Sequence, residues 1–351
     1  MRKRARRGPP PSQECRVVVS VLVAGSVAFD HIMSFPGYFL EHILPDKVHV
    51  LNVSFLVNSL KRQRGGTGGN IAYSAALLGL RPRLVAAAGR DSAEYLALLD
   101  RCGVDTRSVL VSEDDFTASA FITTDRADNQ ITGFYPGAMR RAGEQSLRDL
   151  AGAGDVGAYS NTPLLAIIAP DDPAAMRRFP RECRELGLPY IYDPGMQVPI
   201  LSADDVRDGL TGARVLIGND YEIALIGEKT GLDRAALRER VELLVITLGE
   251  HGAEFDARGE ITRVPAAPAR EVVDPTGAGD AFRAGLLLGL TRGFPLEITG
   301  RIAAQAATYA VEHLGTQEHC YTPEEFARRF NESFPDVPPL TNAECGMRSA
   351  E

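Results

Sequence analysis

The stretch Val273-Asp274-Pro275-Thr276-Gly277-Ala278-Gly279-Asp280-Ala281-Phe282 decides how the rest of the chain is read. Two glycines flank an alanine, an aspartate follows, and an apolar helical pattern begins at once with Ala281, Phe282, Ala284, Gly285, Leu286, Leu287 and Leu288. Glycine lets backbone N–H groups approach an anion closely. A helix N-terminus adds unpaired donors and a partial positive charge, so loop and helix together make a phosphate site. Asp280 then stands at the helix start, beside the phosphate, as the side chain able to take a proton. A blander reading is a glycine turn with Asp280 as helix cap, a position aspartate favours. The functional reading predicts phosphoryl transfer to an alcohol.

Outward from this point, short apolar runs alternate with helical patterns. Residues 17–24, 84–88, 164–169, 190–192, 215–217 and 243–247 read as buried strands. Helices are predicted at 71–80, opened by Gly68-Gly69-Asn70, at 94–102, at 174–186 and from Tyr221 to Gly227. Apolar strands with helices between them call for a mostly parallel sheet covered on both faces. Two segments break the rhythm. Residues 48–50 with 53–57, and 118–124 with 130–134 across a polar turn, read as antiparallel hairpin strands. They predict a small separate sheet serving as a lid, which excludes water as a rival phosphoryl acceptor.

The run Arg64-Gly65-Gly66-Thr67-Gly68-Gly69-Asn70-Ile71-Ala72 is the second strong element. Its glycines permit close backbone approach to a ligand, and Asn70 offers both a donor and acceptors. It does not fit a dinucleotide loop, since no clear buried strand runs directly into it. Asp30, just past the first strand, lies where ligands bind in open α/β sheets. A carboxylate there can accept hydrogen bonds from two adjacent sugar hydroxyls. Phe121 and Phe134 fall on the lid strands, with Met139 close by. Aromatic faces stack on planar bases, or simply pack the lid against the body. Asn219 and Glu222 form an N-x-x-E element that reads as a capping box as well as a functional pair.

The string D-P-T-G-A-G-D-A-F resembles the C-terminal signature of the ribokinase-like (PfkB) family of sugar and nucleoside kinases, and residues 64–72 match its N-terminal G-G-x-x-x-N-x-A. Residues 25–39, 53–57, 134–139, 219–222 and 315–318 look like the adenosine kinases of actinobacteria and related bacteria. The resemblance runs from about residue 18 to about residue 318. It implies an α/β fold, a three-layer α/β/α sandwich with a mostly parallel central sheet and a small β lid. The core then spans 17–29, 65–113 and 143–335, and the lid 30–64 and 114–142. A basic extension, 1–16, and a tail, 336–351, flank them.

The implied activity is that of an adenosine kinase, ATP plus adenosine giving ADP plus AMP, with another nucleoside or a sugar such as ribose as alternative acceptor. Asp280 is the implied general base, with Gly277, Ala278 and Gly279 as anion hole. The acceptor falls to Ser26, Asp30, Ser54, Gly66, Asn70, Phe121, Phe134, Met139 and Gln197; Phe134 matches a residue that stacks on the base, and Phe121 one contributed across a dimer. ATP falls to Asn219, Thr247, Gly249, Thr276, Gly277 and Gly279. The resemblance further implies Mg²⁺ placed through water by Glu222 and Asn219, K⁺ at Asp274 and Val272, and a homodimer formed through the lid. One departure stands out. Relatives commonly carry two adjacent glutamines after the D-P of the mid-chain strand, whereas here Asp193-Pro194-Gly195-Met196-Gln197 keeps the second alone. That leaves the choice of base open, with Met196 read as an apolar wall of the pocket.

Composition narrows the alternatives. The chain has 351 residues, 44% of them hydrophobic, with a net charge of -8, which gives no sign of a nucleic-acid partner. The five cysteines are scattered without a C-x-x-C pair, as expected of reduced thiols in a cytoplasmic protein. No apolar run has the length of a membrane span, and no apolar core follows the basic N-terminus closely enough for a signal peptide. A sugar-phosphate acceptor would call for a basic lid cluster, for which Lys61, Arg62 and Arg64 are the candidates. A silent nucleotide sensor is disfavoured because Asp280 and the glycine loop are both intact.

Overall fold

Strand β1 (Ser20–Ala24) shows the logic of the molecule. Val21 and Val23 enter one apolar layer while Leu22 and Ala24 enter the other, all of them buried. A strand buried on both faces belongs in the middle of a parallel sheet. The computed structural model describes residues 20–43, 52–127, 129–152 and 165–341. β2 (Ala28–Ser34), the short α1 (Phe39–His42) and β3 (Ser59–Gly65) come next, then α2 (Thr67–Leu77), β4 (Arg81–Gly89), α3 (Ala93–Arg101) and β5 (Val109–Ser112). β6 (Ala118–Thr124) and β7 (Gln130–Tyr135) precede α4 (Leu147–Gly152) and β8 (Leu165–Ile168). The pattern then repeats through α5 (Pro173–Leu186), β9 (Tyr190–Tyr192), α6 (Ala203–Leu210), β10 (Val215–Asn219), α7 (Asp220–Thr230), α8 (Arg234–Arg240) and β11 (Leu243–Thr247). A hairpin of β12 (Ala253–Ala257) and β13 (Glu260–Val264) leads to α9 (Ala278–Arg292), α10 (Leu296–Val311) and α11 (Pro323–Ser333).

Nine strands form the central sheet in the order β13-β12-β11-β10-β9-β8-β1-β4-β5. From β11 to β5 every pairing is parallel, and β12 and β13 close one end as an antiparallel hairpin. One face is covered by α2, α3, α9, α10 and α11, the other by α5 to α8. The result is a three-layer α/β/α sandwich, and the mostly parallel sheet agrees with the sequence reading. Among the described residues no helix is long and apolar enough to cross a membrane.

The small sheet has four strands in the order β3-β2-β6-β7. The hairpin of β6 and β7 is antiparallel, as expected from its polar turn. The first half of the lid differs. Residues 48–50 lie outside the described residues, and 52–57 contain no strand, although their exposure alternates. β2 and β3 pair instead. β3, Ser-Leu-Lys-Arg-Gln-Arg-Gly, is an edge strand, and the charges that protect an edge from stray pairing hide it from a hydrophobic reading. Asp30, just past β1, sits within lid strand β2, and the lid sheet begins at Ala28. β3 runs straight into the glycine run, so a strand does precede it; that strand is exposed and antiparallel, unlike the one a dinucleotide loop needs.

Two further expectations shift. Helix α2 starts at Thr67, not Ile71, so Gly68 and Gly69 lie inside its first turn. Beyond Pro335 the chain packs against the body as far as it is described: Arg301 donates to Asp336, Leu340 is buried, and its N–H donates to Asn331. The basic extension 1–16 lies outside the described residues.

The glycines of α2 serve packing. A Cβ at Gly68 would stand 2.5 Å from the Gly25 carbonyl group, and one at Gly69 2.2 Å from the Tyr95 hydroxyl. Replacing glycine by alanine inside a helix ordinarily gains about 1 kcal/mol. Against backbone that cannot retreat, overpacking costs about 1–3 kcal/mol and wins. Gly68→Ala is therefore expected to lower the urea midpoint of unfolding, and an unchanged or raised midpoint would show that the contact is soft.

Candidate active site

The site lies along the carboxyl edge of the central sheet, where helix N-termini converge. Asp274 folds the anion loop by accepting from the Thr276 N–H on one oxygen (2.9 Å) and the Gly315 N–H on the other (3.0 Å). Gly277 follows in the left-handed region at φ 82° and caps α9. Thr316 packs there so closely that a Cβ at Gly277 would come within 2.9 Å of it. The first α-helical bond of α9 runs from the Ala281 N–H to the Gly277 carbonyl. The Ala278 amide differs from its expected use, since it donates to the Pro275 carbonyl at 3.2 Å and tightens the turn. Asp280 is the third residue of α9, and Gly277 rather than Asp280 is the cap.

Asp280 is fixed from α2. The Asn70 amide donates to its carboxylate at 2.8 Å. Asn70 Oδ1 in turn accepts from the Thr316 hydroxyl and the Gln317 amide, both at 2.8 Å. Gln317 also bonds Tyr95, whose hydroxyl donates to the Gly65 carbonyl. A buried network like this holds its members at single rotamers. Burial pushes the Asp280 pKa up to about 6; Arg283 and the Asn70 hydrogen bond pull it down, while Asp193 and Glu222 push it up.

The lid register sorts its side chains. Cross-strand partners share a face. Asp30 pairs with Gln63 and Ala120, and Ala120 with Phe134, so Asp30 and Phe134 lie on one face. Gln63 touches Gly315 on that side, and burial, reinforced by Asp274, raises the Asp30 pKa. Phe121 belongs to the opposite face, stacked on His31 with centroids 4.7 Å apart. Phe134 is 54% exposed and Phe121 45%. Met139 is buried against Ala28 and Ala118 at the foot of the sheet. Ser26 accepts from the Thr67 N–H at 3.2 Å, and Gly66 at φ 88° approaches the Ser26 carbonyl. Ser54 stands exposed on the strand-free segment before β3. Gln197 has a buried Oε1 with no hydrogen-bond partner among the described residues. Met196, read as an apolar wall of the pocket, is 79% exposed.

On the other side, Asn219 and Glu222 form the capping box of α7: Glu222 N–H donates to Asn219 Oδ1 and Asn219 N–H to Glu222 Oε2. Thr247 ends β11, followed by Gly249 at φ 58°. Thr276 and Val272 are exposed on the approach to the anion loop. Sequence reading missed Arg283, whose guanidinium lies buried beside Asp193 and 3.9 Å from Glu222. An arginine in an otherwise apolar helix face was the available signal. It also gave no role to Tyr95, Thr316 or Gln317.

A glycine-capped helix start, a carboxylate held at its first turn and a lid above it define a phosphotransferase with an alcohol group as acceptor. The chain belongs to the pfkB family of carbohydrate kinases, whose model matches residues 27–324. A nucleoside kinase of Burkholderia thailandensis in complex with inosine is 37% identical, superposes with a TM-score of 0.79, and is matched over 92% of this chain and 100% of its own. A nucleoside kinase of Methanothermobacter thermautotrophicus is 32% identical over 91% of this chain and 98% of its own length. The nucleoside kinase of Methanocaldococcus jannaschii, an archaeal member of the ribokinase family, is 26% identical with a TM-score of 0.78, over 89% of this chain and 98% of its own.

A base must be ionised to act. With the Asp280 pKa raised to about 6, kcat/KM is expected to fall about tenfold per pH unit below that value and to level off above it. A profile flat down to pH 4 would mean that Asp280 does not titrate in the reaction.

Proposed function

We propose that this protein transfers the γ-phosphoryl group of ATP to the 5′-hydroxyl of a nucleoside, with adenosine as an acceptor. The observation that carries the reading is the Asp280 carboxylate, held by Asn70 at the N-terminus of α9 near the lid face that bears Asp30 and Phe134. Asp280 takes the proton as the hydroxyl oxygen attacks, and the amides of Gly277 and Gly279 face the charge on the transferring group. Asp30 accepts from the vicinal ribose hydroxyls, beside Ser26, Gly66 and Asn70. Phe134 stacks on the base, Met139 closes the foot of the pocket, and the unpartnered Gln197 oxygen accepts from the base edge. Thr247, Gly249, Thr276 and Asn219 border the ATP. The names of the similar nucleoside kinases support this acceptor class, and the inosine complex of one of them argues against restriction to adenosine.

Mg²⁺ fits the donor set. Glu222 commits one carboxylate oxygen to the capping box and keeps the other, and Asn219 keeps one lone pair on its single side-chain oxygen, so both can accept from the metal's waters without binding the ion itself. The ion would neutralise charge on the β and γ phosphates. Lone pairs left on Asp274, with the Val272 carbonyl, would suit K⁺. Under the same reading a second copy packs on the opposite lid face, where Leu60, Phe121 and Ile131 are exposed. Light scattering tests that, and a monomer at every concentration refutes it.

The test of function is ADP release from ATP with Mg²⁺ and K⁺ across adenosine, inosine, guanosine, cytidine, ribose and fructose 6-phosphate. Turnover of adenosine and other nucleosides well above the two sugars is expected; turnover of a sugar alone overturns the reading. Asp280→Asn should fold normally and lose roughly 100-fold or more in kcat. Asp30→Ala should raise the acceptor KM and leave that of ATP nearly unchanged; the reverse pattern would mean that the two sites are exchanged.

A further inference from the structure

Arg283 is buried one turn beyond Gly279 on α9, and each of its guanidinium nitrogens has a partner. Nε and Nη2 donate to the two oxygens of Asp193, which is itself buried at the carboxyl end of β9. Nη1 donates to the Gly279 carbonyl at 3.1 Å. Burial works against its charge, but Asp193 outweighs that and raises its pKa. A buried ion pair is weak support for stability, because well-packed apolar residues often do as well. This one stands directly under the anion loop. Three of its five N–H donors are committed to Asp193 and to the Gly279 carbonyl, so the part argued for it is an indirect one.

We propose that Arg283, clamped by Asp193, is a positioning residue for phosphoryl transfer: it braces the Gly279 carbonyl, and it supplies the positive charge that keeps Asp280 anionic among its acidic neighbours. The proposal rests on Asp280 being the base. Asp280 is faced by Arg283 from its own helix, Asp193 from the end of β9, Glu222 from α7 and Tyr95 from α3, with Asn70 donating from α2. Asp193 thus bonds the guanidinium, Glu222 lies 3.9 Å from it, and Asp280 feels its charge. Bracing the carbonyl of the Gly279–Asp280 peptide fixes its N–H as well, since the peptide is planar. That N–H belongs to the third residue of α9, where the helix leaves its amides without α-helical partners.

The test is a pH profile of kcat/KM for Arg283→Met, Arg283→Lys and Asp193→Asn, run with the best acceptor found. Arg283→Met should move the acid limb upward by about one pH unit and lower kcat by roughly tenfold or more. Asp193→Asn leaves the guanidinium uncompensated and should move the limb downward. Arg283→Lys should return the limb toward its original position while kcat stays low, because lysine keeps the charge but lacks the planar fork. A purely structural pair would lower Tm and activity in all three variants without moving the limb, and that result overturns the proposal; so do shifts of the same sign in the Met and Asn variants. If Arg283→Met does not fold, the Lys and Asn variants decide. A ¹³C NMR titration of the Asp280 carboxyl, assigned through Asp280→Asn, reads the same shifts without substrate. Should every nucleoside fail as acceptor, it tests this proposal separately from the functional one.

Discussion

Asn70 joins two helix N-termini, and the active site depends on that junction. Its amide donates to Asp280 on α9, while its own carbonyl accepts from Thr316 and Gln317 in the segment after α10. α2 reaches α9 closely enough for this because Gly68 lets its first turn rest on Gly25, immediately after β1. Sheet, lid and catalytic helix therefore meet at one hydrogen-bonded residue. The Thr316 hydroxyl lies 2.8 Å from the Arg64 carbonyl, at the end of lid strand β3, as well as from Asn70 Oδ1, so its one proton is shared between the two, while the side chain packs on Gly277.

The electrostatics pull in opposite directions at the same place. Burial would leave Asp280 protonated, and Asp193 and Glu222 push further that way. Arg283 and Asn70 act against them, and the balance falls at about 6. Under the proposed function this is a useful compromise: a carboxylate well below that value would be a poorer proton acceptor, and one well above it would be largely protonated at neutral pH. The residues that set it come from four separate elements, α2, α7, α9 and the end of β9, so the tuning belongs to the tertiary fold rather than to the glycine motif.

That distinction explains what the sequence disclosed. The anion loop was legible because backbone conformation there requires glycine, and glycine spacing is visible in one dimension. The parallel sheet was legible for a similar reason, since strands buried on both faces appear as unbroken apolar runs. β3 was not, because an edge strand advertises charge instead of hydrophobicity, and 52–57 carried the stronger β pattern without a partner to pair with. Arg283 was missed because a buried charge looks like a surface charge until its partner is known, and Asp193 lies 90 residues away in the chain. The glycine run 65–69 was recognised, yet its space is filled by protein: Gly68 meets Gly25 and Gly69 meets Tyr95.

The same gap between pattern and placement bears on acceptor choice. The methionine that replaces a glutamine beside Gln197 looked like the loss of a contact to the base. Met196 is 79% exposed, whereas Gln197 keeps a buried oxygen with no partner among the described residues. An unpartnered buried acceptor costs about 1–3 kcal/mol, and a ligand that donates to it recovers that cost on binding. Under the proposed function, Gln197 and the lid aromatic Phe134 contribute to discrimination between bases. An amide can turn to present either its oxygen or its nitrogen. Under the proposed function, Gln197 thereby suits a base edge that donates through an amino group, as in adenosine, as well as one that accepts through a carbonyl, as in inosine.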